Sequence, residues 1–338
     1  MRQKRILFED APAVYHVMSR TVNGEKLLGE KEKAVMRKML FKVAAFAGVK
    51  ILTYCLMSNH FHVLIEVPDA SGVKLSDEEL LKRYEHLHGE DNHLRKSPRS
   101  QIYAPNTPDQ IKRILQEGGE ESEKLRQALH KRMHNLTSFV QTFKQRVSIW
   151  YNANHRRFGP LWSDRFKSLL VEGQGPALQI VAAYIDLNPV RAGLVEDPAK
   201  YPFSGYGEAA ISREIETDLG YIVGAKPNDA PAEILREYRL LVLGLGAKPK
   251  ESQSHLKNTR EEMNKLLCQR ETEDQNRTEN LPEFAPLVKG QALGRKSFVE
   301  KCSHKLQAGN PLKKPHKIKP TSFKDIYTPN QFRSPSTE

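Results

Sequence analysis

The stretch CLMSNHFHVLIE (Cys55–Glu66) decides the fold of this chain. Its two histidines, His60 and His62, stand one residue apart among apolar and β-branched residues. Successive side chains of a strand point to opposite faces, so a strand here places both imidazoles on one face and Phe61 on the other. Two neighbouring imidazoles form a bidentate metal site. The alternative interpretation is a pair of half-exposed strand histidines.

The composition indicates a basic protein that folds around a core over part of its length. The 338 residues carry a net charge of +12, with 38% hydrophobic and 28% charged residues. A strongly basic balance favours polyanionic partners, with nucleic acid first and anionic membrane second. No apolar run approaches the roughly 18 residues of a membrane span, and no secretory signal follows the basic N-terminus. Three widely spaced cysteines favour a reducing compartment, so we expect a cytoplasmic, nucleoid-associated protein.

Hydrophobic periodicity predicts an alternation of strands and helices. The predicted elements are strands at 13–20, 49–57, 60–67 and 168–172, and helices at 30–46, 129–150, 177–187 and 232–245. Residues 70–128 are charged and contain several glycines and prolines, which indicates an insertion that is helical near 77–87 and loosely ordered around 89–108. Residues 303–338 are rich in lysine and predict a basic, disordered tail.

A basic and aromatic segment at 151–167, YNANHRRFGPLWSDRFK, predicts contact with nucleic acid. Cations that alternate with aromatic rings can hold a phosphate backbone while the rings stack on unpaired bases. The alternative is a solvated basic loop whose aromatic side chains fill the core.

Tyr184 and Asn188 are four residues apart near the end of a predicted helix, so they share one helical face if the helix extends that far. Pro189 ends the helix there. By itself this pair means little, and a buried tyrosine with an asparagine cap at the helix end is the commoner explanation.

Five runs together are similar to the REP-associated tyrosine transposases, bacterial members of the HUH superfamily. They are YHVMSR (15–20), NHFH (59–62), FKQR (143–146), LWSDRFKS (161–168) and YIDLNPVRAGLV (184–195). Two histidines around a hydrophobic residue are a weak motif, but the five runs in this order are specific.

The resemblance implies an α+β fold, a ferredoxin-like or RRM-like palm with an antiparallel sheet and helices on one face. It covers residues 8–210 apart from the insertion at 70–128. A mixed helical extension at 211–302 and the tail at 303–338 fall outside it.

The resemblance also implies an enzyme that cleaves single-stranded DNA beside a hairpin and rejoins it elsewhere. Tyr184 matches the nucleophile, which would form a 5′-phosphotyrosine. His60, His62 and Asn188 match the ligands of a divalent metal, for which Mg²⁺ or Mn²⁺ suits two imidazoles, an amide and open positions. Glu66 and His16 are candidates for an accessory ligand or a base. The quaternary state, monomer or homodimer, stays open.

The candidate DNA-binding residues are cations and one tryptophan in or near these runs. They are Arg20, Lys144, Arg146, Arg156, Arg157, Trp162, Arg165, Lys167 and Arg191.

Two other functions compete with this one. A regulator that binds hairpin DNA without cleaving it would keep the fold and the basic surface. A relaxase or replication initiator of the same superfamily would usually add a helicase-type domain, and the sequence contains no P-loop motif.

Overall fold

The computed structural model describes residues 5–8, 10–72, 74–89, 106–214, 216–246, 291–308, 318–321 and 325–329. The strands are β1 (Ala13–Arg20), β2 (Lys50–Leu56), β3 (His60–Val67), β4 (Lys167–Val171), β5 (Ala292–Leu293), β6 (Ile318–Pro320) and β7 (Tyr327–Pro329). The longer helices are α1 (Glu30–Ala47), α2 (Asp77–His88), α3 (Pro108–Glu117), α4 (Gly119–His130), α5 (Leu136–Asn154), α6 (Pro176–Asp186), α10 (Pro231–Gly246) and α11 (Lys296–Ala308). The described residues also form three short α-helices, α7 (Asn188–Arg191), α8 (Gly205–Ser212) and α9 (Leu219–Val223), and two 3-10 helices at Val22–Gly24 and Pro198–Lys200.

The central sheet has the strand order β2-β3-β1-β4-β5. Strands β1 to β4 pair antiparallel throughout, and the two-residue β5 pairs parallel with β4, so the sheet is mixed at one edge. Helix α1 connects β1 to β2, and the helices between β3 and β4 form the second crossover. The α+β class predicted from the sequence is confirmed.

Helices cover both faces of the sheet, which corrects the expectation of helices on one face. Tyr15 and Phe61 belong to a core cluster that α1 and α5 share, whereas Leu64 and Leu169 belong to a second cluster that α6 and α10 share. Strands β1 and β3 are buried along almost their whole length, as strands covered on both faces must be. The histidine motif therefore lies under α6 rather than on an open sheet surface.

The insertion packs against the palm as helices where the structure describes it. Leu80 of α2 and Ile111 of α3 belong to the same cluster as α1, and Tyr84 donates a hydrogen bond to the carbonyl of Asn106 (2.9 Å). The predicted helix at 129–150 is divided, because the Asn135 side chain accepts from the amide of Ser138 and starts α5 there. Residues 90–105 of the segment predicted to be loosely ordered lie outside the described residues.

The C-terminal region does not begin a separate unit at residue 211. Tyr238 of α10 is buried in the second core cluster, and β5 extends the sheet. The expectation of a disordered tail is wrong for residues 303–308, 318–321 and 325–329: α11 ends there, β6 pairs with β7, and Thr328 donates to the carbonyl of Ala292 (3.0 Å). Strands of two or three residues carry no periodicity, which is why the sequence did not reveal them. The other residues of the predicted tail lie outside the described residues.

The turn between β2 and β3 is fixed from two sides. The Met57 amide donates to the His60 carbonyl (2.8 Å), which closes the turn. The Thr21 amide and hydroxyl both donate to the Asn59 carbonyl, at 2.8 and 3.0 Å, and so join this turn to the end of β1. Because the turn is anchored outside its own hairpin, the start of β3 has a defined position.

A buried carboxylate attaches α6 to its surroundings. Asp186 accepts hydrogen bonds from the hydroxyls of Thr53 (2.8 Å) on β2 and Tyr238 (2.6 Å) on α10, and from the amide of Tyr206 (3.2 Å) on α8. Burial raises the pKa of Asp186 to about 6, and the hydrogen bonds to the carboxylate oppose that rise. One side chain thus connects the C-terminal end of α6 to three other elements.

We expect Asp186→Ala to lower the free energy of unfolding by about 3 kcal/mol, because it leaves two hydroxyls and an amide buried without their acceptor. Urea denaturation at pH 7.5 measures the change. Tyr238→Phe is the matched control, since it removes one donor and should cost about 1 kcal/mol. An Asp186→Ala protein no less stable than the Tyr238→Phe protein would contradict this role.

Candidate active site

Three histidines lie on one face of the sheet where β1 and β3 pair. The register places Arg20 opposite His60, Met18 opposite His62 and His16 opposite Leu64. The period of two along each strand therefore brings the three imidazoles to the same face, as the sequence predicted for His60 and His62. All three histidines are buried.

The imidazoles contact one another. The ring centroids of His60 and His62 are 5.0 Å apart with planes at 88°, and those of His16 and His62 are 5.0 Å apart and stacked. Nε2 of His16 lies 2.8 Å from Nδ1 of His62, which is a hydrogen bond. The structure therefore brings His16, predicted as an accessory residue, into direct contact with the motif.

Tyr184, on helix α6, lies next to His62 and His16. The Tyr184 ring centroid is 5.7 Å from that of His62 and 6.0 Å from that of His16, both in edge-on geometry. The guanidinium of Arg191, on α7, lies 4.7 Å from the Tyr184 ring centroid. Tyr184 is only 3% exposed. The predicted nucleophile and the predicted histidine pair are thus adjacent, although more than 120 residues separate them in sequence.

Asn188 lies at the junction of α6 and α7. Its Nδ2 donates to the carbonyls of Tyr184 (2.8 Å) and Ile185 (3.2 Å) and caps the end of α6. The capping interpretation left open by the sequence is therefore part of its role. Since both amide hydrogens are directed at the helix, Oδ1 is the atom that remains for a metal, and the ligand role of Asn188 stays a prediction.

The side chain of Asn59 determines which nitrogen of His60 carries the proton. Nδ2 of Asn59 donates to the Gly24 carbonyl (3.0 Å), so its Oδ1 faces Nδ1 of His60 at 2.7 Å. An oxygen acceptor requires Nδ1–H on the imidazole, which leaves the lone pair of Nε2 available. The sequence did not single out Asn59, although its position directly before the first motif histidine was the available signal.

Both motif histidines are held in the neutral form. Burial, and to a smaller extent the nearby cations Arg20 and Arg191, lower the pKa of His60 to about 3. The pKa of His62 is lowered well below its usual value, first by burial and then by its histidine and arginine neighbours. Neutral imidazole is the form that binds metal ions.

Residues 12–93 match a family model described as "Transposase IS200 like". This match confirms the resemblance to transposases over β1 to β3. A solved structure described as "Structure of the REP associates tyrosine transposase bound to a REP hairpin" is similar with a TM-score of 0.38 and 13% identity, over 64% of this chain and 90% of that chain. A comparison with curated proteins found no match.

Glu66, a candidate accessory ligand or base in the sequence analysis, does not lie near the histidines. It lies at the far end of β3, where its carboxylate is 3.7 Å from the Lys50 ammonium. Four residues of strand separate it from His62 by about 13 Å. Within the described ranges, no group of three or more His, Cys, Asp and Glu side chains could hold a metal ion, so a metal here would need ligands of another type.

The structure divides the predicted DNA-binding residues of this transposase-like chain into a surface set and a core set. Arg156, Arg165 and Lys167 are exposed, and Arg20, Lys144, Arg157 and Arg191 are partly exposed. Burial lowers the pKa of Lys144 to about 8.

Trp162 and Arg146 belong to the core, which corrects their assignment to the DNA surface. The Trp162 ring centroid is 5.4 Å from that of Phe61, and its Nε1 donates to the Lys144 carbonyl (3.0 Å). Nη2 of Arg146 donates to the Leu87 carbonyl (2.9 Å) in the last turn of α2. A cation at the C-terminal end of a helix is favourable for the helix dipole, so Arg146 joins α2 to α5.

We expect Arg146→Ala to destabilise the fold by about 2 kcal/mol through loss of this buried, charge-assisted hydrogen bond. Arg165→Ala, at an exposed position, should change stability by less than about 0.5 kcal/mol. Thermal and urea unfolding of both variants measures the difference. The core assignment fails if Arg146→Ala unfolds like wild type and instead weakens DNA binding as Arg165→Ala does.

No helix in the part of the chain described by the structure is long and apolar enough to span a bilayer.

Proposed function

We propose that the protein is a transposase-type DNA strand-transferase that cleaves single-stranded DNA beside a hairpin through Tyr184. The observation that carries this proposal is the position of the Tyr184 ring, 5.7 Å from His62 and under the guanidinium of Arg191. The family match over residues 12–93 supports a DNA-processing enzyme.

The residues present suit a divalent metal, Mg²⁺ or Mn²⁺. Nε2 of His60, which the Asn59 hydrogen bond leaves unprotonated, and His62 would supply the nitrogens, and Oδ1 of Asn188 would supply an oxygen. His62 can bind through Nε2 when its Nδ1 donates to His16, an outer hydrogen bond of the kind that orients ligating histidines. When bound, the metal would polarise a non-bridging oxygen of the scissile phosphate.

The chain's own groups perform the transfer. The Tyr184 oxygen attacks phosphorus, a 5′-phosphotyrosine forms, and the bond to the 3′ oxygen breaks. His16 orients His62 rather than taking the phenol proton, because its Nε2 lone pair accepts from His62 Nδ1–H and its Nδ1 carries the remaining proton. The phenol proton would pass to a water molecule. Arg191 places positive charge where the phenolate and the phosphate meet, which stabilises the charge that develops there. The covalent ester keeps the energy of the phosphodiester, so the strand can be rejoined without ATP.

Tyr184→Phe should abolish a covalent protein–DNA adduct while hairpin binding stays within about threefold of wild type, since the substitution removes only the nucleophilic oxygen. The measurement is denaturing gel electrophoresis after incubation with a labelled hairpin oligonucleotide with single-stranded flanks and Mn²⁺, alongside fluorescence anisotropy. Tyr151→Phe is the control for loss of a hydroxyl elsewhere in the fold and should keep the adduct.

The same experiment decides between the enzyme and a regulator that binds hairpin DNA without cleaving it. Wild-type protein that binds the hairpin but forms no adduct with any metal would establish the regulator. The joint presence of His60, His62, Tyr184 and Asn188 favours the enzyme, because a non-cleaving descendant would tend to lose one of them.

Asn59→Ala should lower the affinity for Mn²⁺ by about 10- to 100-fold, the usual cost of losing an outer partner of a ligating histidine. Isothermal titration calorimetry without DNA measures this directly. Asn59→Asp retains an acceptor oxygen for His60 Nδ1–H and should restore most of the affinity, which a purely structural role of Asn59 would not predict. Asn154→Ala, on the exposed end of α5, is the surface control. Equal affinities for the alanine and aspartate variants would refute the tautomer argument.

A further inference from the structure

The side chain of Phe158 is exposed to solvent. It follows two arginines in the sequence and precedes a Gly-Pro pair. It is 81% exposed, more than any other large hydrophobic side chain in the described ranges. Arg156 is exposed and Arg157 partly exposed. Covering an exposed aromatic surface with a ligand is favourable. The residues directly before and after Phe158 are Arg157 and Gly159 rather than large apolar residues, so the segment is a poor fit to an apolar protein partner.

Hydrogen bonds hold the backbone of the loop that carries Phe158. The Arg157 amide donates to the Asn152 carbonyl (2.9 Å). Nδ2 of Asn152 donates to the Gly159 carbonyl (2.9 Å). Nη1 of Arg157 donates to the Pro160 carbonyl (3.0 Å). Arg156 has a φ of +48°, a conformation that costs free energy for a residue with a Cβ. Three hydrogen bonds therefore hold the backbone on both sides of Phe158, which reduces the entropy lost on binding.

The segment after the loop runs beside the candidate active site. The Val22 amide donates to the Leu161 carbonyl (2.9 Å), and the Ser163 amide donates to the Arg20 carbonyl (3.0 Å). Arg20 is in turn the strand partner of His60. The loop therefore emerges at the end of the sheet where the histidine motif begins.

We propose that loop 152–160 is a base-stacking finger, in which the Phe158 ring stacks on an unpaired base of the DNA next to the hairpin while Arg156 and Arg157 contact the flanking phosphates. An exposed ring next to cations, on a loop held by hydrogen bonds, is the combination that recognises unpaired bases on a charged backbone. The inference rests on the proposed function and deepens it: Phe158 takes the stacking role that the sequence assigned to Trp162.

Binding of a hairpin with a single-stranded flank tests the finger, measured by fluorescence anisotropy in the Tyr184→Phe background so that no adduct forms. Phe158→Ala should weaken binding by at least about 10-fold, and Phe158→Trp should bind within about threefold of the parent. The dependence of log Kd on log salt should be unchanged in Phe158→Ala. In Arg156→Ala its slope should fall by about 0.7 to 1.

A 2-aminopurine base placed successively along the flank reports the stacking position. The finger predicts quenching at one position for the parent and loss of that quenching in Phe158→Ala. Phe158→Leu keeps an apolar side chain of similar volume without a π-face, so binding as tight as that of Phe158→Trp would overturn the stacking proposal. Unchanged binding by Phe158→Ala, or an equal loss for a blunt hairpin without a flank, would overturn it as well.

The finger and the proposed function fail separately. Absence of the covalent adduct in wild-type protein would remove the strand-transferase and leave the binding result intact. Unchanged binding by Phe158→Ala would remove the finger, whatever the adduct experiment shows.

Discussion

The position of α6 against the sheet is the constraint on which the candidate site depends. Tyr184 is on this helix and the motif histidines are on β3, so the distance between the two elements sets the distance between the predicted nucleophile and the predicted metal ligands. Asp186, two residues after Tyr184, joins α6 to β2 through Thr53 and to α10 through Tyr238. A carboxylate of this kind is costly to bury and is retained where it fixes one arrangement among several. The helix therefore has little freedom to slide over the sheet.

Helix α10 helps to hold α6 in its position against the sheet. Viewed from the sequence, residues 231–246 lie beyond the resemblance to the transposases. In the structure, Tyr238 of this helix is fully buried and donates to the carboxylate that anchors α6. The extension thus stabilises the helix that carries Tyr184, and truncation before residue 231 would leave Asp186 short of a donor and part of α6 uncovered. The sheet, α6 and α10 share one hydrophobic core cluster.

Local periodicity was enough to predict β1 and β3 to the residue, and α1 and β2 to within one residue, because the alternation in 13–20 and 60–67 and the helical spacing in 30–46 are unbroken. The shared face of His60 and His62 followed from the same alternation. Three features depended on long-range packing that no local pattern records. Trp162 is a core residue because Phe61 lies against it, and β5 exists because β4 offers an edge. The tautomer of His60 depends on Gly24, whose carbonyl orients the Asn59 amide.

Burial and charge act in the same direction at the site. Desolvation disfavours the imidazolium form of His60 and His62, and Arg20 and Arg191 disfavour it further. Under the proposed function the same two arginines would attract a phosphodiester, so the groups that keep the histidines neutral would also raise the local concentration of the substrate. A phosphate that entered would compensate two cations that the fold holds near neutral histidines.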